Sequence, residues 1–240
     1  MTYVMSDIHG CYAKVRAMLE TISFAPDDTL YVLGDVLDRG PDGFKILLDM
    51  AQRPNAFNLM GNHEAMALDA LACILGAVQK RQKHGENILS EEEAETIDLW
   101  FCNGGELSLA DFLRLNEKEA QIVWDYMRNM PLYKEVEAGG KRFVLVHWGL
   151  GNFAPSRPLD DYAPEEILWC RPDLDAAYFP DKILIFGHTP TRLLYRQIGE
   201  QELPDRIFHR GTMIGVDCGC ACAGRALGCL CLDTMEEFVV

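Results

Sequence analysis

Three times near its start the chain runs from a short apolar stretch into a polar cluster and then into a segment with helical spacing. Tyr3-Val4-Met5 leads into Ser6-Asp7-Ile8-His9-Gly10, and Thr29-Leu30-Tyr31-Val32-Leu33 leads into Gly34-Asp35-Val36-Leu37-Asp38-Arg39-Gly40. Ala56-Phe57-Asn58-Leu59 then leads into Gly61-Asn62-His63-Glu64. Runs rich in β-branched and aromatic residues favour strands. After the first of them, Val15, Met18, Leu19 and Ile22 recur at the spacing of one helix face. Helices are expected over Tyr12–Ile22, from Pro41 or Asp42 to Gln52, and from Ala65 to about Val78, the second with proline in its first turn. The pattern predicts a β-α-β-α-β unit whose polar clusters share the sheet edge where open α/β sheets place their ligands.

Residues 79–130 read as helical over Glu91–Phe101, Leu107–Leu113 and Glu117–Met130, with Asn103-Gly104-Gly105 as a turn, and are expected to form a helical cap over that edge. Strands over Lys134–Ala138 and Arg142–Val146 flank a Gly139-Gly140 hairpin turn, and the second delivers His147-Trp148-Gly149. A buried strand over Lys182–Phe186 delivers Gly187-His188-Thr189-Pro190. Leu193–Ile198, Arg206–Phe208, Met213–Val216, Ala226–Leu232 and Glu236–Val239 read as further short strands, which suggests a second sheet packed on the first. The expected fold class is α/β (α+β): one domain over 1–240, two mixed sheets flanked by helices, with 79–130 as a helical cap insertion.

Length and 49% hydrophobic content suit one such domain. The longest apolar candidate, Ala65–Val78, is broken by Asp69 and falls short of the roughly 18 residues of a membrane span. The first residues lack the basic and apolar regions of a signal peptide, so a cytoplasmic protein without membrane attachment is expected. A formal charge of -15 argues against nucleic acid as a partner, and the basic cluster Lys80-Arg81-Gln82-Lys83-His84 reads as the solvated end of a helix. Nine cysteines, an odd number, point to reduced thiols. Cys218-x-Cys220-x-Cys222 and Cys229-x-Cys231 are spaced more tightly than structural zinc prefers and fit alternate strand positions. No functional role is assigned to His84 or His209.

The strand-end residues Asp7, His9, Asp35, Asn62, His147 and His188 supply oxygen and imidazole donors without thiolate, a set suited to Mn, Fe or Zn. Residues i and i+2 of an extended chain face one side, so Asp7 and His9 are expected to grip one ion together. Six donors exceed the need of one catalytic ion that keeps an open position. They suit two ions about 3.5 to 4 Å apart sharing one carboxylate.

Asp-Ile-His-Gly at 7–10, Gly-Asp-Val-Leu-Asp-Arg-Gly at 34–40, Gly-Asn-His-Glu at 61–64, the strand-end His147 and Gly-His-Thr at 187–189 resemble, in order and spacing, the signature of the phosphoprotein phosphatase (PPP) family of metallophosphoesterases. Softer similarity lies in Asn103-Gly104-Gly105, Trp169-Cys170-Arg171 and Val216-Asp217-Cys218-Gly219. The resemblance spans residues 6–189 and implies a calcineurin-like sandwich holding two divalent metal ions, Mn(2+) first, with Fe or Zn as alternatives. Asp7, His9 and Asp35 would hold one ion, and Asp35, Asn62, His147 and His188 the other, with Asp35 as the bridge. It further implies hydrolysis of phosphate monoesters by a metal-bound hydroxide, without a phosphoenzyme.

An alkoxide leaving group needs an acid, a role that suits His63 oriented by Asp38. Arg39 is fitted to fork two phosphate oxygens, with Asn62 bordering the phosphate; similarity to related enzymes adds Arg171. Trp148 stands where relatives commonly carry a small residue, so a narrower groove beside the second ion is expected. The leading expectation is a protein serine/threonine phosphatase acting on phosphorylated protein or a small phosphoester. Symmetrical hydrolysis of dinucleoside polyphosphates is the alternative. A non-catalytic, metal-dependent binding module is the third reading, disfavoured because metal binding alone requires neither His63, Asp38 nor Arg39.

Overall fold

The computed structural model describes residues 1–84, 89–200 and 205–240. Strands β1 (Thr2–Met5), β2 (Thr29–Val32) and β3 (Ala56–Asn58) alternate with helices α1 (Tyr12–Thr21) and α2 (Gly43–Ala51). Met5 lies opposite Val32, and Val32 opposite Asn58, in parallel register, so the three strands end level with one another. The β-α-β-α-β unit is therefore present, and its loops share one edge. Helix α3 (Asn62–His84) begins directly on the third polar cluster, four residues beyond β3, with Glu64 in its first turn, where a carboxylate complements the helix dipole.

Helices α4 (Glu91–Cys102), α5 (Gly105–Phe112) and α6 (Glu117–Arg128) follow, the first and last opened by capping boxes, Ser90 with Glu93 and Asn116 with Glu119. Lys80, Arg81 and Lys83 are exposed in the last turns of α3, as a solvated helix end requires. The side chain of His84 and residues 85–88 lie outside the described residues.

The hairpin β4 (Tyr133–Ala138) and β5 (Lys141–Val146) starts a second sheet, joined by β6 (Ile183–Phe186), which follows the short helix α7 (Pro164–Leu168). Leu193–Ile198, expected as a strand, lies instead largely in helix α8 (Thr191–Gln197), with Pro190 at its N-cap and the successive residues Leu194 and Tyr195 both buried. An alternating strand would bury only one of two such neighbours. Strands β7 (Phe208–Arg210) and β8 (Met213–Gly215) complete the second sheet in the order β4-β5-β6-β8-β7.

The last two strands, β9 (Gly228–Cys231) and β10 (Glu237–Val239), correct the expectation that everything after Thr189 builds the second sheet. They return to the first, where β9 runs antiparallel to β1 with Met5 opposite Cys229, giving the order β10-β9-β1-β2-β3. Val4, Leu33 and Leu59 from the first sheet pack against Phe143, Leu145, Ile185 and Ile214 from the second, forming a buried layer between them. Helices α1, α2, α3 and α6 cover the outer face of the first sheet. Among the described residues, no helix is long and apolar enough to cross a membrane.

Candidate metal and phosphate site

Loops leaving β1, β2, β3, β5 and β6 converge. Asp7, His9, Asp35, Asp38, Arg39 and His188 all have φ between 46° and 69°, the left-handed region that costs an L residue about 1 kcal/mol or more. This conformation overturns the extended geometry expected for Asp7 and His9. The chain turns between them, and Asp7 Oδ2 accepts the His188 N–H at 2.8 Å and the Ser6 hydroxyl. Burial, then the carboxylates of Asp217 and Asp35, raise the Asp7 pKa well above its ordinary value.

Two sets of donor atoms share Asp35: His9 with His63, and His147 with His188. Asp7 stands outside both sets. His9 Nδ1 lies 2.7 Å from Leu37 O and His147 Nδ1 lies 2.7 Å from Leu33 O. A carbonyl only accepts, so both rings carry their proton on Nδ1 and present the Nε2 lone pair to the site. Burial lowers His9 to about 3 and His147 to about 4, which keeps both rings neutral at pH 7.

The His147 Nε2 lone pair meets Asn62 Oδ1 at 2.9 Å, His188 Nδ1 at 3.1 Å and Asp35 Oδ1 at 3.3 Å. On the other side, Asp35 Oδ2 lies 3.8 Å from His9 Nε2, 3.8 Å from His63 Nε2 and 3.7 Å from His188 Nδ1, and has no hydrogen-bond partner although fully buried. Burial opposes the charge on Asp35, but His147 and His63 outweigh it and hold the carboxyl well below its ordinary range. An anionic oxygen with no hydrogen-bond partner, facing the His9 lone pair and two further ring nitrogens, fits a bound cation, and the oxygen and imidazole donors suit a divalent ion. His9, Asp35, His147, His188 and Asn62 would hold such ions.

Beside the first set stand the residues suited to phosphate binding and proton transfer. His63 Nδ1 binds Asp38 Oδ2 at 2.6 Å. Burial disfavours a charge on His63, yet Asp35 and the hydrogen-bonded Asp38 outweigh it and raise the ring above its ordinary value. Arg39 is exposed, with its guanidinium 2.9 Å from His9 Nε2 and 3.0 Å from His63 Nε2. On the far side, Trp148 stacks on His188 with ring centroids 3.3 Å apart and donates from Nε1 to Thr189 Oγ1 at 3.2 Å. The indole thus braces a candidate ligand. Arg171 is exposed and sits 5.8 Å from the Trp148 ring.

Several residues without an assigned role prove to hold the loops. The buried Glu64 carboxylate accepts the N–H groups of Asp35 and Val36 at 2.8 Å and of Leu37 and Gly61 at 3.0 Å. A Cβ at Gly61 would overlap both Asp35 Oδ1 and Glu64 Oε2, so glycine is required there. Trp100 Nε1 donates to both Asp38 oxygens at 3.0 and 3.1 Å, the Asp38 N–H donates to Ser108 Oγ at 2.7 Å, and the Arg39 N–H donates to Gly104 O at 3.2 Å. In the sequence Glu64 closes the Gly-Asn-His-Glu motif, whereas nothing local marks Trp100.

The nine cysteines are free thiols; Cys218, Cys220, Cys229 and Cys231 are buried, and burial pushes Cys218 and Cys229 up to about 12. His209 pairs with Glu237 at the surface, 2.8 Å apart.

The chain is 34% identical over 140 residues to a symmetrical bis(5'-nucleosyl)-tetraphosphatase of Photorhabdus laumondii, covering 57% of this chain and 50% of that protein. It is 30% identical over 149 residues to serine/threonine-protein phosphatase 2 of Salmonella typhimurium, covering 60% and 56%. The matched stretch thus spans about half the length of these relatives. Among solved structures, a candidate diadenosine tetraphosphatase superposes with TM-score 0.65 at 21% identity over 100% of this chain and 92% of that one, which shows a shared fold. The calcineurin-like phosphoesterase family model matches residues 2–208, and the chain belongs to that family.

Proposed function

We propose that the chain is a metal-dependent phosphoester hydrolase that cleaves dinucleoside polyphosphates symmetrically. The observation that carries the hydrolase reading is the unpartnered Asp35 oxygen among imidazole nitrogens, with Arg39 and the His63–Asp38 pair directly beside it. The chemistry divalent ions supply in such a site is Lewis-acid activation of water and neutralisation of charge on the phosphoryl group. Arg39 swings its two terminal nitrogens onto phosphoryl oxygens, a bidentate match. His63, its Nδ1 held by Asp38, carries a proton on Nε2 to the departing oxygen.

The dinucleotide substrate draws its support from the likeness to relatives named symmetrical tetraphosphatases. This reverses the order of substrates expected from sequence. Likeness to the Salmonella typhimurium phosphatase supports the second reading, a serine/threonine protein phosphatase.

Metal-stripped protein reloaded with Mn(II) should release two ADP from diadenosine tetraphosphate faster than it releases phosphate from a phosphothreonine peptide, and Asp35→Asn should abolish both. Faster turnover of the peptide would establish the second reading, and inertness toward both would leave a binding module. A nucleotide leaves as a phosphate oxyanion that needs little protonation, whereas threonine leaves as an alkoxide. His63→Asn should therefore slow the peptide more than the dinucleotide.

A further inference from the structure

The chain leaving β5 carries His147 and Trp148 and then lies against residues 170–172, which follow helix α7. A Cβ at Gly149 would overlap Cys170 O and Pro172 N, and one at Gly151 would overlap Cys170 Sγ, so only glycine allows the two stretches to meet this closely. Glu166, in α7, ties them together a second time. Its carbonyl accepts the Gly151 N–H at 2.8 Å, and its Oε1 accepts the side chain of Asn152 at 3.1 Å. Asn152 has φ of 51°, a left-handed conformation that this bond helps to hold. Arg157 forks the same carboxylate, Nη1 to Oε1 at 2.8 Å and Nη2 to Oε2 at 2.6 Å, and Oε2 also accepts the Ala163 N–H at 3.0 Å. The Arg157 guanidinium lies 3.9 Å from the buried Tyr162 ring, which fixes the fork in turn. Arg157 first, then Asn152 and the Ala163 N–H, hold the Glu166 carboxyl down to about 2, so it is anionic near neutral pH.

We infer that Glu166 is a positioning residue for Arg171: by fixing α7 to residues 151 and 152, it holds the Arg171 guanidinium beside Trp148 for a phosphoryl group bound at the candidate metal site. Helix α7 is only five residues long and cannot hold itself. Its buried Ile167 and Leu168 anchor one face, and Glu166 anchors the turn that leaves His147. Arg171 lies three residues beyond the helix end, 5.8 Å from the ring that stacks on His188. An arginine carried on a fixed segment binds an oxyanion without first having to order its own backbone, so loosening the segment weakens binding although no contact to the anion is removed. A single exposed ion pair contributes little, but a forked carboxylate that also takes three further N–H groups is a joint between segments. The inference rests on the hydrolase reading of the site and extends it to a residue outside the strand-end loops.

Calorimetry of inorganic phosphate binding to the Mn(II)-loaded full chain tests this through a double-mutant cycle. Arg171→Ala should weaken phosphate about tenfold, the scale of a hydrogen bond to a charged group, and Glu166→Ala about threefold, each with Mn(II) affinity unchanged. In the Arg171→Ala background, Glu166→Ala should have almost no further effect, because the residue it positions is gone. Glu166→Gln, with the same shape and no charge, should show the same dependence on Arg171 at smaller size, and it serves the cycle if Glu166→Ala does not fold. Additive losses in the double variant, phosphate affinity indifferent to Arg171, or a Glu166 variant that loses stability or Mn(II) affinity while keeping phosphate affinity would each overturn the assignment. The cycle reads affinity and not turnover, so a chain inert toward both substrates would count against the hydrolase reading while the cycle still decides this one.

Discussion

In the strand-end loops the backbone is left-handed at Asp7, His9, Asp35, Asp38, Arg39 and His188, whose side chains are the candidates for holding metal, orienting His63 and binding phosphate. The helical segment from α4 to α6 is the opposite: regular, opened by two capping boxes, and carrying no candidate ligand. Yet Trp100, Ser108 and Gly104 from this segment touch Asp38 and Arg39, and Asp111 accepts the Phe44 N–H at the start of α2 at 2.8 Å. The contrast separates two tasks. Loops that carry chemistry override local backbone preference, and their conformation is held by hydrogen bonds from elements that obey it. The segment expected as a cap over the site acts as its clamp.

The hold is strongest at Glu64. Glu64→Ala strips partners from four backbone N–H groups around Asp35, each worth about 1 kcal/mol or more when left buried and unmade. Chemical denaturation should show a loss of about 4 kcal/mol; a loss below about 1 kcal/mol would mean the loops hold themselves.

An intermediate effect is expected at the clamp. Trp100→Phe keeps the buried ring but removes the donor to Asp38, so kcat should fall about tenfold while Mn(II) affinity measured by calorimetry is unchanged. A fall in Mn(II) affinity with kcat intact would place Trp100 with the ligands instead. Smallest of all, Ser90→Ala should cost about 1 kcal/mol of stability through its lost cap, with Mn(II) binding and turnover unaltered.

Sequence legibility follows the same divide. Asp35, Asn62, His147 and His188 were readable because each lies within a few residues of a strand end, so hydrophobic pattern and polar cluster adjoin. Trp100 and Ser108 were not, because they act on Asp38 across 62 and 70 residues, a relation that no periodicity records. The first-sheet pairing of β9 was hidden likewise, since an apolar alternation specifies a strand but not its neighbour. Leu193–Ile198 misled because a short apolar run reads equally as strand or buried helix. The turn between Asp7 and His9 was not legible, because two-residue alternation holds only where the chain is extended, and there it is not.

The central claim is that Asp35 stands between two cations. Crystals of the protein grown with Mn(II) and recorded for anomalous scattering should show two peaks about 3.5 to 4 Å apart, flanking the Asp35 carboxylate, one beside His9 and the other beside His147 and His188. A map with no peak near Asp35, or with manganese bound only elsewhere, would contradict the account.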